Sequence, residues 1–335
     1  MARYNTIPFA FGGVPPDSLS ASQGKVIYVA PYTGAAGNQG KTPAGAISTL
    51  TAAQALATAD QNDIVYLLAQ SNTGSLTTDY QTSLTGLEWA KDGVHLIGQN
   101  AGQRFSHRSR VAWHSKMATA GATPLVSSLK PLMTFSADGC RIENIEFFAG
   151  IASAYANGIL VSGSRNHFKN CHIAGIGHAD LDVTGAFSLS VTGDENYFEG
   201  CVIGIDSIVR TGANNELLLT NCKRNIFKDC VFVAWSETAG RTSVQIVATT
   251  GASGWVLFEN CKFIDFTTNL GTGNTNVFDM PTQAGSYSHP TYLTGCAAFG
   301  GGAAGIGAAW SDVDTEIFIA MPAANAAGGK SLASN

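Results

Sequence analysis

Acidic and basic side chains gather in one stretch of the sequence. His178, Asp180 and Asp182 lie close together, Asp206 and Arg210 follow, and Glu237 and Arg241 come after them. Two carboxylates facing each other across a sugar ring are what glycoside hydrolysis uses, one as general acid and the other as base or nucleophile. Carboxylates beside an arginine also suit a calcium-assisted elimination. Both chemistries require residues some 30 positions apart to share one surface, which only stacked chain segments provide. The plainer use of such residues is solvated loop charge or subunit contact, and perturbed carboxylates in structural networks are common. No catalytic residue is therefore assigned, and the enzymatic alternative rests on Asp180, Asp182, Asp206, Arg210 and Glu237.

Other chemical signals are weaker. His107, Arg108, Arg110, Trp113 and His114 make a basic, aromatic stretch that suits a sugar or an anion, but a packed or interfacial loop explains it better. Gly271-Thr272-Gly273-Asn274 lacks the lysine and the strand-to-helix setting of a phosphate loop. No nucleophile elbow built on serine occurs. No pair of cysteines has C-x-x-C spacing, so neither a metal nor a cofactor is expected.

The elements that would position these groups show in a repeat. Phe168-Lys169-Asn170-Cys171-His172-Ile173 recurs as Phe198-Glu199-Gly200-Cys201-Val202-Ile203, Phe227-Lys228-Asp229-Cys230-Val231-Phe232 and Phe258-Glu259-Asn260-Cys261-Lys262-Phe263. Weaker copies start at Ile142 and Leu293. The cysteine slot falls at 145, 171, 201, 230, 261 and 296, in steps of 26, 30, 29, 31 and 35 residues. A period of this size signals a solenoid or an array. The residue before the slot is Asn, Gly or Asp in every copy. These types best tolerate the left-handed backbone region, so a sharp bend is predicted there once per coil. The apolar residues three before and two after the slot are predicted to face inward and stack, and the charged residues between them to face water. A further strand is predicted in each coil: Leu132–Phe135, Ile159–Val161, Phe187–Val191, Leu217–Leu219, Val244–Val247 and Val277–Phe278. No amphipathic helix separates the strands, which excludes a doubly wound fold. Propeller blades need about 40–45 residues, more than these coils have. The predicted class is all-β, a right-handed parallel β-helix.

Composition agrees. Charged residues are 13% of the chain and there are 38 glycines among 335 residues. The net charge of −5 and the lack of a long basic run give no sign of nucleic-acid binding. No apolar run approaches the roughly 20 residues that cross a bilayer. The seven cysteines, an odd number without an evident signal segment, fit reduced core thiols in a chain made in a cytoplasm.

The ends differ from the repeat. Residues 1–24 read as an extended arm whose aromatics are Tyr4, Phe9 and Phe11. Lys25–Val29 reads as a strand, Thr49–Ala59 as a short helix capping the solenoid, and Asp63–Leu68 as the next strand. The solenoid is expected over 25–300. Residues 301–335 read as an Ala/Gly-rich segment, with one last strand at Glu316–Ala320 and a flexible tail from Ala323.

Lys25-Val26-Ile27-Tyr28-Val29, the loop from Gly34 to Pro43, Ile47-Ser48-Thr49-Leu50 and Asp63-Ile64-Val65-Tyr66-Leu67 resemble the opening of pectate-lyase-like β-helix proteins. The coils around Cys171 to Cys261 resemble that superfamily's Asn-Cys-x-Phe repeat. The resemblance spans most of 25–300. Gly175-Ile176-Gly177-His178 is similar to part of the Gly-His-Gly of β-helix polygalacturonases. Ala179 replaces the last glycine, however, and no Asn-Thr-Asp or Asp-Asp pair accompanies it, so no catalytic role is carried over.

The superfamily holds lyases, hydrolases, tailspikes and inert virion proteins. The resemblance, with the arm, implies a non-enzymatic phage virion protein of the capsid decoration or cement type. It would be assembled in the host cytoplasm and would bind the major capsid protein and its own copies as a homotrimer, with Tyr4, Phe9 and Phe11 at the capsid. No nucleic acid or membrane partner is expected, and a bound glycan stays open. The alternative is a tailspike-type or bacterial polysaccharide lyase or hydrolase.

Overall fold

Each coil turns where the sequence places its smallest or most permissive residue. Asn144, Asn170, Gly200, Asp229, Asn260 and Gly295 all have positive φ, between 51° and 64°. At each of them the chain leaves one sheet and enters the next within two residues. The computed structural model describes residues 24–31, 33–69, 87–99, 105, 109–112, 130–150, 156–237, 241–248, 254–268, 276–279, 290–300, 309–311, 317–319 and 330–331.

Three sheets result, of eleven, seven and eight strands. The first holds strands such as His167–Lys169 and Tyr197–Glu199, the second Val202–Arg210 and Val231–Ser236, the third Phe187–Val191 and Asn215–Thr220. From His95–Gly98 to Ala309–Ser311 the described strands visit them in that order, and each pairs in parallel with a counterpart in the neighbouring coil. This is a right-handed parallel β-helix. The predicted extra strands are the third sheet, lengthened by a residue or more in most coils; Phe187–Val191 matches end to end.

The core consists of ladders. Phe168, Phe198, Phe227 and Phe258 are in register and fully buried. Their rings stack with centroids 4.8, 4.7 and 5.0 Å apart. Phe147, Ile173, Ile203, Phe232 and Phe263 form a second column on the second sheet. Each buried side chain of this size is worth about 1.5–3 kcal/mol. Cys171, Cys201, Cys230, Cys261 and Cys296 make a third column of free thiols. Each Sγ donates to the carbonyl of Ile142, Phe168, Phe198, Phe227 or Phe258, respectively, on the preceding coil, at 3.3–3.6 Å.

A fourth ladder repeats in the sequence but was not anticipated. Asn166, Asn196 and Asn225, two residues before each phenylalanine, are buried at the turn from the third sheet to the first. The Asn166 backbone N–H donates to Asn196 Oδ1 (2.9 Å) and the Asn196 N–H to Asn225 Oδ1 (2.8 Å). Their side-chain amides donate to the Ala137, Gly163 and Gly193 carbonyls. Buried turn groups are thereby paired along the solenoid axis.

The helix is Leu50–Leu56, shorter than predicted, with Thr49 Oγ1 accepting from the Ala52 N–H. Just beyond it buried Asp63 collects two backbone donors: Thr58 N–H gives to Oδ2 and Lys25 N–H to Oδ1, both at 2.7 Å. Leu50 and Ala53 plug the end of the core. At the other end Ile317–Ile319 pairs with Thr291–Thr294, and Lys330–Ser331, inside the expected flexible tail, lies antiparallel to it. Among the described residues no helix is long and apolar enough to cross a membrane.

Candidate functional site

The residues singled out by their chemistry lie in a second-sheet strand, Val202–Arg210, and in the connections from the second sheet to the third. His178 begins a single 3-10 turn, Ala179–Leu181, and its Nδ1 accepts from the Asp180 N–H at 3.1 Å. Asp180 is exposed, as is Asp206, which stands in the bulged part of Val202–Arg210.

Asp182 and Glu237 are half-buried and have the same local task. Asp182 accepts from Thr211 N–H (2.6 Å), Thr211 Oγ1 (2.8 Å), Gly212 N–H (3.1 Å) and Asn214 Nδ2, all on the following coil. Glu237 accepts from Trp235 Nε1 (2.7 Å) on its own strand. From the following coil it accepts from Thr268 N–H (2.7 Å), Thr268 Oγ1 (2.6 Å) and Thr267 Oγ1 (3.3 Å). Hydrogen bonds to a carboxylate are about twice as strong as neutral ones, so each side chain ties the loop of one coil to the loop of the next.

Arg210 and Arg241 do come together, around a residue that sequence reading missed. Glu216 Oε1 lies 3.3 Å from Arg210 Nε and 2.6 Å from Arg241 Nη2, and all three side chains are fully buried. Ser188 Oγ donates to Glu216 Oε2. Arg241 also donates from Nε to Asn214 Oδ1 at 3.1 Å and lies 3.9 Å from buried Asp265. Burial pulls the Arg210 guanidinium below its usual range, against the attraction of Glu216. The signal was available: Glu216 and Asp265 are charges set inside the apolar strands Asn215–Thr220 and Lys262–Phe266.

A second buried cluster sits on the outer face of the second sheet. Arg110 Nε and Nη2 both reach Glu146 Oε2 at 2.8 Å, and the guanidinium stands 5.3 Å from the Phe148 ring centroid. His172 Nδ1 faces Glu146 Oε1 at 3.7 Å, while Nε2 sits 3.2 Å from the Gly204 carbonyl oxygen and so carries the proton. Burial lowers His172 to about 4, and burial raises Glu146 despite Arg110. Phe105 packs edge-on to the imidazole at 5.5 Å. Of the basic, aromatic stretch, Arg110 is thus in an ion pair; His107, Arg108, Trp113 and His114 lie outside the described residues, as do Tyr4, Phe9 and Phe11.

The glycines before His178 answer to packing. A Cβ on Gly175 would stand 2.4 Å from Ser188 Cα, and one on Gly177 2.8 Å from the Ala149 carbonyl oxygen. Among the described residues no group of three or more His, Cys, Asp or Glu side chains is arranged to hold a metal ion.

No protein-family model matches the sequence, and no curated protein matches it. Solved structures do. Pectate lyase Pel9A is similar with a TM-score of 0.56 and 16% identity, over 84% of this chain and 65% of that one. The fold is that of the pectate-lyase-like β-helices. The pectin methylesterase from Yersinia enterocolitica is similar with a TM-score of 0.52 and 15% identity, over 79% of this chain and 81% of that one. ORF18 of Geobacillus virus E2 matches with a TM-score of 0.42 and 13% identity, over 82% of this chain and 58% of that one. The chain spans just under two thirds of the length of Pel9A, and at these identities the likeness is one of fold.

Proposed function

We propose that this protein is a non-enzymatic structural component of a phage virion, a decoration or cement protein that binds the major capsid protein through its N-terminal arm. The observation that carries the reading is the use made of the carboxylates in the long loops. Asp182 and Glu237 each accept several hydrogen bonds from the next coil, and Glu216 is enclosed by two arginines. A carboxylate held in this way stabilises the solenoid, whereas acid–base catalysis on a sugar needs a pair open to the glycosidic oxygen and to water. A surface of tightly tied coils suits a protein whose task is to stiffen a shell.

The test is co-sedimentation of the purified protein with phage heads, beside a form lacking residues 1–24. The full chain is expected in the pellet and the truncated form in the supernatant. A full-length protein that stays in the supernatant sinks the reading. In parallel, the protein is incubated with polygalacturonate, methyl-esterified pectin and host surface polysaccharides. Absorbance of unsaturated uronates, reducing ends and methanol are followed. Turnover that disappears in Asp180→Ala or Asp206→Ala, the two exposed carboxylates, would replace the structural role with the glycan-cleaving one.

A further inference from the structure

The outer face of the first sheet carries a regular pattern of charge. With the phenylalanines pointing inward, their neighbours point out in two rows. In one row Lys169, Glu199, Lys228 and Glu259 follow one another coil by coil, alternating in sign. Their side chains are 33%, 31%, 35% and 33% exposed. In the other row stand His167, Tyr197, Ile226, Leu257 and Tyr292, the first four half-buried and the last exposed. Within the chain, His167 Nε2 lies 3.0 Å and Lys169 Nζ 3.8 Å from Glu199, and Lys228 Nζ lies 3.0 Å from Glu259.

We propose that this face is a two-fold interface between copies of this chain, packed with their solenoid axes antiparallel. Successive coils are about 4.8 Å apart, so the charges repeat on a fixed grid. Consider a two-fold axis lying in the face, parallel to the strands, midway between Tyr197–Glu199 and Asn225–Lys228. It reverses the order of the coils and keeps each row opposite itself. Glu199 then meets the partner's Lys228, and Lys169 meets the partner's Glu259, each pair occurring twice. In the other row Tyr197 meets the partner's Ile226 and His167 the partner's Leu257. A slip of one coil sets lysine against lysine and glutamate against glutamate, so the charges fix the register as well as the partner. Such a self-complementary patch is what an isologous contact requires. The contact is independent of any capsid and differs from the trimer that the family resemblance implies.

Sedimentation equilibrium of the full-length protein tests it, with a mass of twice 34.8 kDa expected. An all-acidic row, Lys169→Glu with Lys228→Glu, and an all-basic row, Glu199→Lys with Glu259→Lys, should each give monomers. Their equimolar mixture should restore the dimer. Melting curves check the fold of both variants, since ion pairs at the surface contribute little to stability. For the unmodified protein, raising salt from about 0.1 M to about 1 M shortens the screening length from ~10 to ~3 Å and should weaken the dimer about tenfold or more. A wild-type monomer or trimer overturns the proposal. So does a dimer indifferent to salt, a folded single-sign variant that stays dimeric, or a mixture of folded variants that stays monomeric. Co-sedimentation with phage heads is a separate readout, so this contact and the capsid reading can fail independently.

Discussion

Asp182 stands one coil before Thr211 and receives two hydrogen bonds from it, the backbone N–H at 2.6 Å and the hydroxyl at 2.8 Å. With Gly212 and Asn214 it satisfies four donors. Asp182→Ala leaves all four to water and should cost about 2–3 kcal/mol, in the range of hydrogen bonds to charged groups. Urea unfolding of the variant checks this. A carboxylate placed for catalysis would instead lose turnover and keep its stability.

Phe227 lies between Phe198 and Phe258 and is fully buried. Phe227→Ala should cost about 3–5 kcal/mol, the transfer and cavity cost of a large core truncation. Phe105 is 49% exposed and Phe105→Ala should cost well under half of that. Equal losses of stability in the two variants would mean that the column does not carry the core.

Glu216 is the carboxylate shared by Arg210 and Arg241 in the interior. Glu216→Leu leaves two buried guanidinium groups without their shared carboxylate and should cost about 3–5 kcal/mol. A protein that melts like wild type would show that those arginines find another acceptor.

His172 gives stability a pH dependence. Its folded value, held near 4 by burial, lies below that of the unfolded chain, near 6.5. The unfolded chain therefore takes up a proton first. The contribution is fully present above about 6.5 and is lost as pH falls toward 4, by roughly 3 kcal/mol. Glu146, raised by burial, acts in the opposite sense over the acid end of that window. Urea midpoints between pH 7 and 4 should fall less in His172→Gln than in wild type. Parallel profiles would rule out the buried imidazole as their source.

The thiols should be silent. Cys140 and Cys222 are pushed up to about 12 by burial, and Cys171 and Cys230 are raised by the same cause. A thiol reagent at pH 8 should label the native protein slowly, with half-buried Cys296 first, and all seven cysteines after unfolding. Rapid labelling of Cys201 or Cys230 in the native state would place that column outside the core.

The solenoid is legible in the amino-acid order, because a β-helix writes its geometry locally. The left-handed bend before each cysteine slot is Asn, Gly or Asp in every copy, and the slots on either side of it are mostly apolar; both recur once per coil, so Asn170, Phe198 or Cys230 reports its place without knowledge of any other residue. The Asn166–Asn196–Asn225 ladder was written in the same way and needed only to be read. What the charged residues do becomes visible only in the folded chain. Asp182 and Glu237 look alike in sequence as candidate acids and as loop ties. The distinction lies in donors contributed some 30 residues later by the next coil. Glu216 was hidden among leucines because a carboxylate in a strand becomes tenable only when Arg210 and Arg241 fold onto it, and their meeting depends on how loops of unequal length close above the sheets. Local backbone demands are carried by single residues and survive in the sequence. Electrostatic partnerships are carried by distances between coils, which the chain acquires only on folding.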